Sequence, residues 1–284
     1  MPTPAASLVL RTAASDELVL TADFAATGRT TATFHDLVER LATEVNIWET
    51  APAPYGTEQG MTGHDQVDRW ARDLKDSGLR VRAVIGFCGG GVYAAALAER
   101  ASRWQAEPRL VLLDPGVVKP YMQVEHVQGW LTRLTPAFAE EDAGHARRAL
   151  LDIATTSPGP LELARRLGGY VREVLQPALG RTGHSGQAAS DLADLVIGYL
   201  HWLAGAAQLD PRPRWREAPA LNSATPGFGL HLLPAADRAG LVRAVTFYDV
   251  PHSDLMRHDQ VARAVDALLA RPVDAPVPVP RRVL

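Results

Sequence analysis

Between Val81 and Trp104 an apolar run passes through Val84-Ile85-Gly86-Phe87-Cys88-Gly89-Gly90-Gly91 into an alanine- and leucine-rich segment. No other stretch restricts the fold as much. The glycines interrupt regular structure, so Val81–Phe87 reads as a strand and Val92–Trp104 as a helix. Arg109–Leu113 is a second apolar run, closed by Asp114-Pro115-Gly116. Strand, tight turn, helix and strand make a right-handed βαβ unit. Runs that are apolar on both faces belong inside a parallel sheet with helices on each side.

The turn itself reads G-x-C-x-G. Small residues two before and two after a nucleophile, here Gly86 and Gly90, let the chain bend sharply from strand to helix without a Cβ clash. Such a turn sets Cys88 at a helix N-terminus, where the helix dipole favours the reactive thiolate. It also aims the Gly89 N–H at an oxyanion forming beside the sulfur. A buried structural cysteine fits the same composition. A phosphate loop does not, because the G-x-G-x-x-G spacing and a following Lys-Ser/Thr pair are absent.

A nucleophile needs a base. Of nine histidines, His252 stands where one is wanted, between the candidate strand Ala244–Tyr248 and the terminal helix Leu255–Ala270. The carboxyl edge of a late strand faces the same crevice as the turn after an earlier one. The third member is a carboxylate that orients the imidazole. Asp114, 26 residues beyond Cys88, ends the next strand; Asp237 is the competitor and Asp249 a weaker one. Asp-Pro-Gly is also an ordinary turn composition. A second oxyanion donor is expected from an early loop. In Thr21–Gly28 the candidates are the N–H groups of Ala25 and Ala26, with Ala26 paired to Gly89.

Elsewhere, Ser7–Leu10 and Glu17–Thr21 read as strands flanking a turn at Ala13–Asp16, and Val45–Trp48 as a third strand. Helical spacing marks Thr33–Glu44 and Asp65–Asp76. Residues 117–224 are mostly helical in pattern and interrupt the strand–helix alternation for about 100 residues, too long for an unstructured loop. They are expected to form a helical lid, with several of Trp130, Phe138, Tyr170, Tyr199, Trp202 and Trp215 lining a tunnel to Cys88. Gly229–Leu233 reads as a strand. Residues 1–116 and 225–271 would then be the core, and 272–284 a Pro-rich tail with little capacity to pack.

Composition removes whole classes of function. In 284 residues the net charge is -3, which leaves no electrostatic footprint for nucleic acid. The lone cysteine excludes an intrachain disulfide and a cysteine-based metal cluster. No stretch approaches the roughly 18 apolar residues of a membrane helix, and the N-terminus lacks the features of a signal peptide. A soluble cytoplasmic protein is expected.

With Gly86–Gly91, Asp114, His252 and the Phe24–Gly28 loop in view, the chain resembles the α/β-hydrolase thioesterases that release products in nonribosomal peptide and polyketide synthesis. The resemblance covers most of the chain and implies an α/β-hydrolase fold with a helical lid inserted before the final strands. An acid directly after the strand following the elbow matches the peptide-synthetase release domains. In many stand-alone editing thioesterases the acid comes later, at the place of Asp237. Three departures stand out. The nucleophile is cysteine instead of serine, Phe24-Ala25-Ala26 replaces paired prolines, and Val250-Pro251-His252 replaces a Gly-x-His context.

The resemblance implies acyl transfer, cyclisation or release from a carrier-protein phosphopantetheine thioester through a covalent intermediate on Cys88. No metal or organic cofactor is expected. The partners implied are an acyl or peptidyl carrier protein and a small acyl substrate. The sequence holds no carrier or condensation domain, so action in trans is expected. The Gly-x-Cys-x-Gly-Gly elbow is also similar to that of dienelactone hydrolases, which use a Cys-His-Asp triad for small esters and lactones. A protein of this fold that binds a ligand covalently without turnover is a third reading.

Overall fold

The structure, a computed structural model, describes residues 5–24, 31–134 and 140–270. The chain divides into two units. The first comprises residues 1–51, 67–117 and 209–284; the second comprises 52–66 and 118–208.

The first unit is built on one seven-stranded sheet. Its strands are β1 (Ser7–Arg11), β2 (Glu17–Ala22), β3 (Asn46–Thr50), β4 (Arg80–Phe87), β5 (Arg109–Leu113), β6 (Pro219–Asn222) and β7 (Ala244–Phe247). They run in the order β1-β3-β2-β4-β5-β6-β7. The β1–β3 pair is antiparallel and every other pair is parallel. Position in the sheet follows composition. From Ala83 to Phe87 every residue of β4 is buried, as a central strand covered on both faces requires. β1 exposes Leu8 and Val9 and lies at an edge.

Helices flank the sheet: α1 (Phe34–Val38), α2 (Gly63–Asp76) and α3 (Gly90–Ala101). Along α2, Val67, Trp70, Ala71 and Leu74 recur at helical spacing and are buried, while the Trp70 indole N–H donates to the Ala51 carbonyl at 2.8 Å. The helix is opened by a reciprocal cap, in which the Thr62 N–H donates to Asp65 and the Asp65 N–H to the Thr62 hydroxyl. Alanine at 94, 95 and 98 keeps α3 slim enough to lie directly on β4.

The second unit is helical: α4 (Tyr121–Leu134), α5 (Glu140–Thr156), α6 (Pro160–Tyr170), a π-helical turn (Val171–Leu175), α7 (Gln176–Arg181) and α8 (Gly186–Ala206). Pro177 explains the π turn, because it has no N–H for the carbonyl four residues back and its ring crowds that carbonyl. The Gln176 N–H instead reaches Val171. Ser185 opens α8, its hydroxyl accepting the Ala188 N–H at 3.2 Å. Val127, Leu131, Leu167, Val171, Ile197 and Leu200 belong to this unit's own core.

Back in the first unit come α9 (Arg212–Trp215), a 3₁₀ turn (Gly229–Leu232), α10 (Ala235–Ala239), a second 3₁₀ turn (His252–Arg257) and α11 (Asp259–Leu269). Among the described residues no helix is long and apolar enough to cross a membrane.

Several expectations need correction. The helical insertion was expected to run from 117 to 224, but the strand β6 lies inside that span and 209–224 belongs to the sheet unit. Residues 52–66 instead join the helical unit. Gly229–Leu233 is a 3₁₀ turn, not a strand. The apolar alternation there suits either form, and the positive φ of Gly229, +53°, decides it. The helix expected over Thr33–Glu44 stops at Val38. Trp215 is fully buried, with its indole N–H donating to the Gly91 carbonyl at 3.0 Å, so it packs in the sheet unit and lines no tunnel. Ala25, Ala26, Phe138 and the 272–284 tail lie outside the described residues.

Candidate active site

The elbow is shaped by what its glycines leave out. A Cβ on Gly86 would come 2.5 Å from the Gly91 Cα and 2.7 Å from the Ala94 Cβ. A Cβ on Gly90 would collide with the Ala22 carbonyl at the end of β2. Strand and helix therefore meet closer than any side chain allows, and Cys88 is pushed into the left-handed region at φ 51°. Its N–H continues the β4–β5 ladder to the Leu113 carbonyl at 2.9 Å, and its own carbonyl accepts from Gly91 and Gly116. Cys88 is half-buried and packs against the core cluster that includes Phe87, Leu113 and Leu221. Gly89 caps α3, where first-turn amides have no intrahelical acceptor.

Asp114 follows β5 directly. It is the other non-glycine residue with positive φ among those described, at 44°. Its carboxyl is fully buried, and both oxygens are used. Oδ1 accepts the Ser223 N–H at 2.7 Å and Oδ2 accepts from His252 Nδ1 at 2.8 Å. Since a carboxylate only accepts, the Nδ1 proton points at Asp114, which leaves Nε2 as the acceptor nitrogen of the ring.

His252 begins the 3₁₀ turn after β7. Its backbone N–H donates to the Thr225 hydroxyl at 2.7 Å. Its ring stacks on Phe87 (4.8 Å between centroids, 15° between planes) and on Phe228 (4.1 Å, 19°). Phe87 precedes Cys88 in sequence, so the nucleophile candidate and the imidazole share a rigid neighbour. Asp237 is exposed on α10, and the carboxyl that meets His252 Nδ1 is that of Asp114. The structure thus joins His252 to Asp114, sets Cys88 in the neighbouring elbow, and leaves Asp237 out.

The loop after β6 is what the sequence reading missed. Asn222 is fully buried and clamps it: Oδ1 accepts the Leu230 N–H at 2.9 Å and Nδ2 donates to the Ser223 carbonyl at 3.1 Å. Gly229 passes so close that a Cβ there would lie 2.7 Å from Asp114 Oδ1. Ser223, Thr225 and Phe228, all in this loop, each touch a triad candidate. The available signal was the short apolar stretch Ala218–Leu221 followed by Asn-Ser-Ala-Thr-Pro-Gly, a strand end with turn residues.

Other ionisable groups of interest lie in the helical unit. Burial pushes His126 down to about 4, with the Arg133 charge adding to the effect. Burial also lowers His201 and raises Glu58, whose carboxyl the Arg172 charge partly offsets. Among the described residues no cluster of His, Cys, Asp and Glu is placed to hold a metal.

No family model matches the chain, and no curated protein does. Solved structures do. The Vlm2 thioesterase domain bound with a dodecadepsipeptide is 18% identical, covering 95% of this chain and 100% of its own, with a TM-score of 0.53. A covalent complex of the NocB thioesterase domain with a fluorophosphonate nocardicin G analogue gives 18% identity, 93% and 99% coverage and a TM-score of 0.53. A four-domain nonribosomal peptide synthetase bound to AMP and glycine gives 12% identity and a TM-score of 0.60 over 95% of this chain, which spans 20% of that one. The fold is the α/β-hydrolase fold. It is shared here with thioesterase domains, at identities that carry the architecture alone.

Proposed function

We propose that this α/β-hydrolase-fold chain is a thioesterase-like acyl-transfer enzyme with Cys88 as nucleophile. The observation that carries the reading is the buried Asp114 carboxyl holding His252 Nδ1 at 2.8 Å, beside an elbow that strains Cys88 to φ 51°. His252 Nε2 takes the thiol proton as Cys88 Sγ attacks a thioester carbonyl. The C–S bond of the substrate then breaks, the departing thiolate receives the proton from Nε2, and the acyl group stays on Cys88. A second nucleophile then attacks the acyl carbon and gives its proton to Nε2; the bond from that carbon to Cys88 Sγ breaks, and Nε2 returns the proton to the sulfur. The Gly89 N–H, with that of Ala26 as second donor, would hold the oxyanion, each donor worth about 3 kcal/mol of barrier.

The substrate class follows from likeness. The Vlm2 domain is bound with a dodecadepsipeptide, and another similar chain is a four-domain nonribosomal peptide synthetase. We infer that this chain takes an acyl or peptidyl group from a carrier-protein phosphopantetheine thioester. The position of Asp114 directly after β5 supports this over the lactone-hydrolase reading, in which the acid follows a later strand.

Cysteine also bears on the outcome. A thioester acyl-enzyme keeps more transfer potential than an oxoester, because sulfur donates less electron density to the carbonyl. Loading from a carrier thioester is then nearly isoenergetic, and the intermediate stays active toward a nitrogen or carbon nucleophile or toward ring closure. The reading is transfer or cyclisation rather than plain hydrolysis. It is tested by product analysis with one carrier-bound substrate, comparing the native chain with Cys88→Ser and Cys88→Ala. The serine variant should acylate but accumulate or hydrolyse the oxoester, and the alanine variant should be inert. Equal product ratios from native and serine enzymes would make sulfur incidental.

A further inference from the structure

We propose that Phe228 is a positioning residue for His252, acting through the flat face of its ring; this rests on the acyl-transfer reading and deepens it. Two hydrogen bonds hold His252, one at its backbone N–H and one at Nδ1. Neither fixes the plane of the imidazole. A ring tethered at Nδ1 can still rock about that contact, and the far end that moves most is Nε2, the atom that exchanges protons with the nucleophile. Displacements of about 1 Å at a reacting group cost on the order of a hundredfold in rate.

Two phenyl rings supply the missing restraint. Phe87 is buried on β4 and is fixed by the sheet. Phe228 is different. It is 42% exposed, yet its ring lies only 4.1 Å from the imidazole and within 19° of parallel. Burial of apolar surface gives little reason to hold a large aromatic at such a position. The backbone does hold it: Phe228 stands between Gly227 at φ 83° and Gly229 at φ 53°. Its carbonyl accepts the His231 N–H at 3.1 Å. Asn222 and the close approach of Gly229 to Asp114 tie the same loop to the acid. The loop thereby delivers an amide to Asp114, a hydroxyl to the His252 backbone and a ring to the His252 face. The ring has a second effect: when Nε2 takes a proton, the imidazole becomes a cation facing the electron-rich side of Phe228.

The test separates flatness from bulk. Phe228→Leu keeps an apolar side chain and removes the ring; Phe228→Tyr and Phe228→Trp keep a ring. Phe247→Leu is the control, an equally exposed aromatic at the same sheet edge with no contact to His252 among those described. Acylation of Cys88 by an acyl N-acetylcysteamine thioester is followed by intact mass over a concentration series, with the melting temperature taken for each variant. Phe228→Leu should lower the saturating acylation rate tenfold or more, with half-saturation within twofold of the native chain. The tyrosine and tryptophan variants should stay within about threefold, and Phe247→Leu should match the native chain. An unchanged saturating rate in Phe228→Leu, a loss confined to half-saturation, or an equal fall in the ring-bearing variants would overturn the proposal. Alkylation of Cys88 by iodoacetamide reads the Cys–His pair without any acyl substrate. A native chain that never acylates sinks the acyl-transfer reading, whereas alkylation rates equal in the native and Phe228→Leu chains sink the role of Phe228.

Discussion

Cys88 and Asp114 both hold a positive φ that non-glycine residues avoid at a cost of roughly 1–3 kcal/mol. Each follows a central strand of the sheet; the Asp114 carboxyl serves Ser223 and His252, while Cys88 packs against the core at the elbow. Strain kept at two such positions argues that the geometry is used. Replacing Asp114 with Asn keeps the size but turns an acceptor for Nδ1–H into a group that can present N–H instead. It should cut acyl transfer by about 10²–10⁴-fold, whereas Asp237→Asn, on an exposed helix, should leave the rate within twofold; steady-state turnover of an acyl thioester compares them. At this scale the positions of Cys88 and His252 were legible, because each follows a run with strand pattern; their roles are those proposed above. It left Asp114 and Asp237 both open, because both follow strand-like runs. Ser223, Thr225 and Phe228 were invisible because their partners lie far along the chain, 109 residues away in the Ser223–Asp114 pair.

Elements meet at glycines here, and the resulting tolerances differ sharply. Gly90→Ala would drive a methyl into the Ala22 carbonyl, so α3 must move off the sheet or the chain must fail to fold; a loss of about 3 kcal/mol or more is expected. Gly229→Ala adds left-handed strain to a clash with Asn222 and Asp114 and should cost both stability and turnover. Gly240→Ala, with open space around it and φ -98°, should be neutral within about 0.5 kcal/mol. Urea midpoints of the three variants rank them. The β4–α3–β5 unit was readable because its two runs are apolar on both faces and the breakers between them are dense. The pairing of the first strands was not. Ala13–Asp16 reads as a turn between neighbours, yet β1 pairs with β3, because β2 is buried along nearly its whole length and takes the interior place between β3 and β4. β6 was missed for its brevity: four residues give too little pattern to stand out from the helical stretch before it.

On the scale of the whole molecule, the helical unit brings its own pH dependence. Unfolded, the His126 imidazole binds a proton near 6.5; folded, it resists until about 4. Between those values the unfolded chain takes up more protons, so lowering the pH favours unfolding, and above 6.5 the effect vanishes. The loss should reach about 3 kcal/mol by pH 4 and should be absent in His126→Gln. Urea unfolding of both chains at pH 7 and pH 4.5 measures the difference between the two slopes. The division into a sheet unit and a helical unit was legible from the break in strand–helix alternation. Its boundaries were not, since Pro52–Gln66 has loop composition and nothing in it marks which unit it packs with.

The proposed chemistry requires a covalent acyl group at Cys88. Intact-protein mass spectrometry after mixing with an acyl N-acetylcysteamine thioester, followed by peptide mapping, examines that directly. The expected result is one added acyl mass per chain, located on the Gly86–Gly91 peptide, lost again when a nucleophile is supplied, and absent in Cys88→Ala. An unmodified native chain, or an acyl group lodged elsewhere and retained in Cys88→Ala, would contradict it.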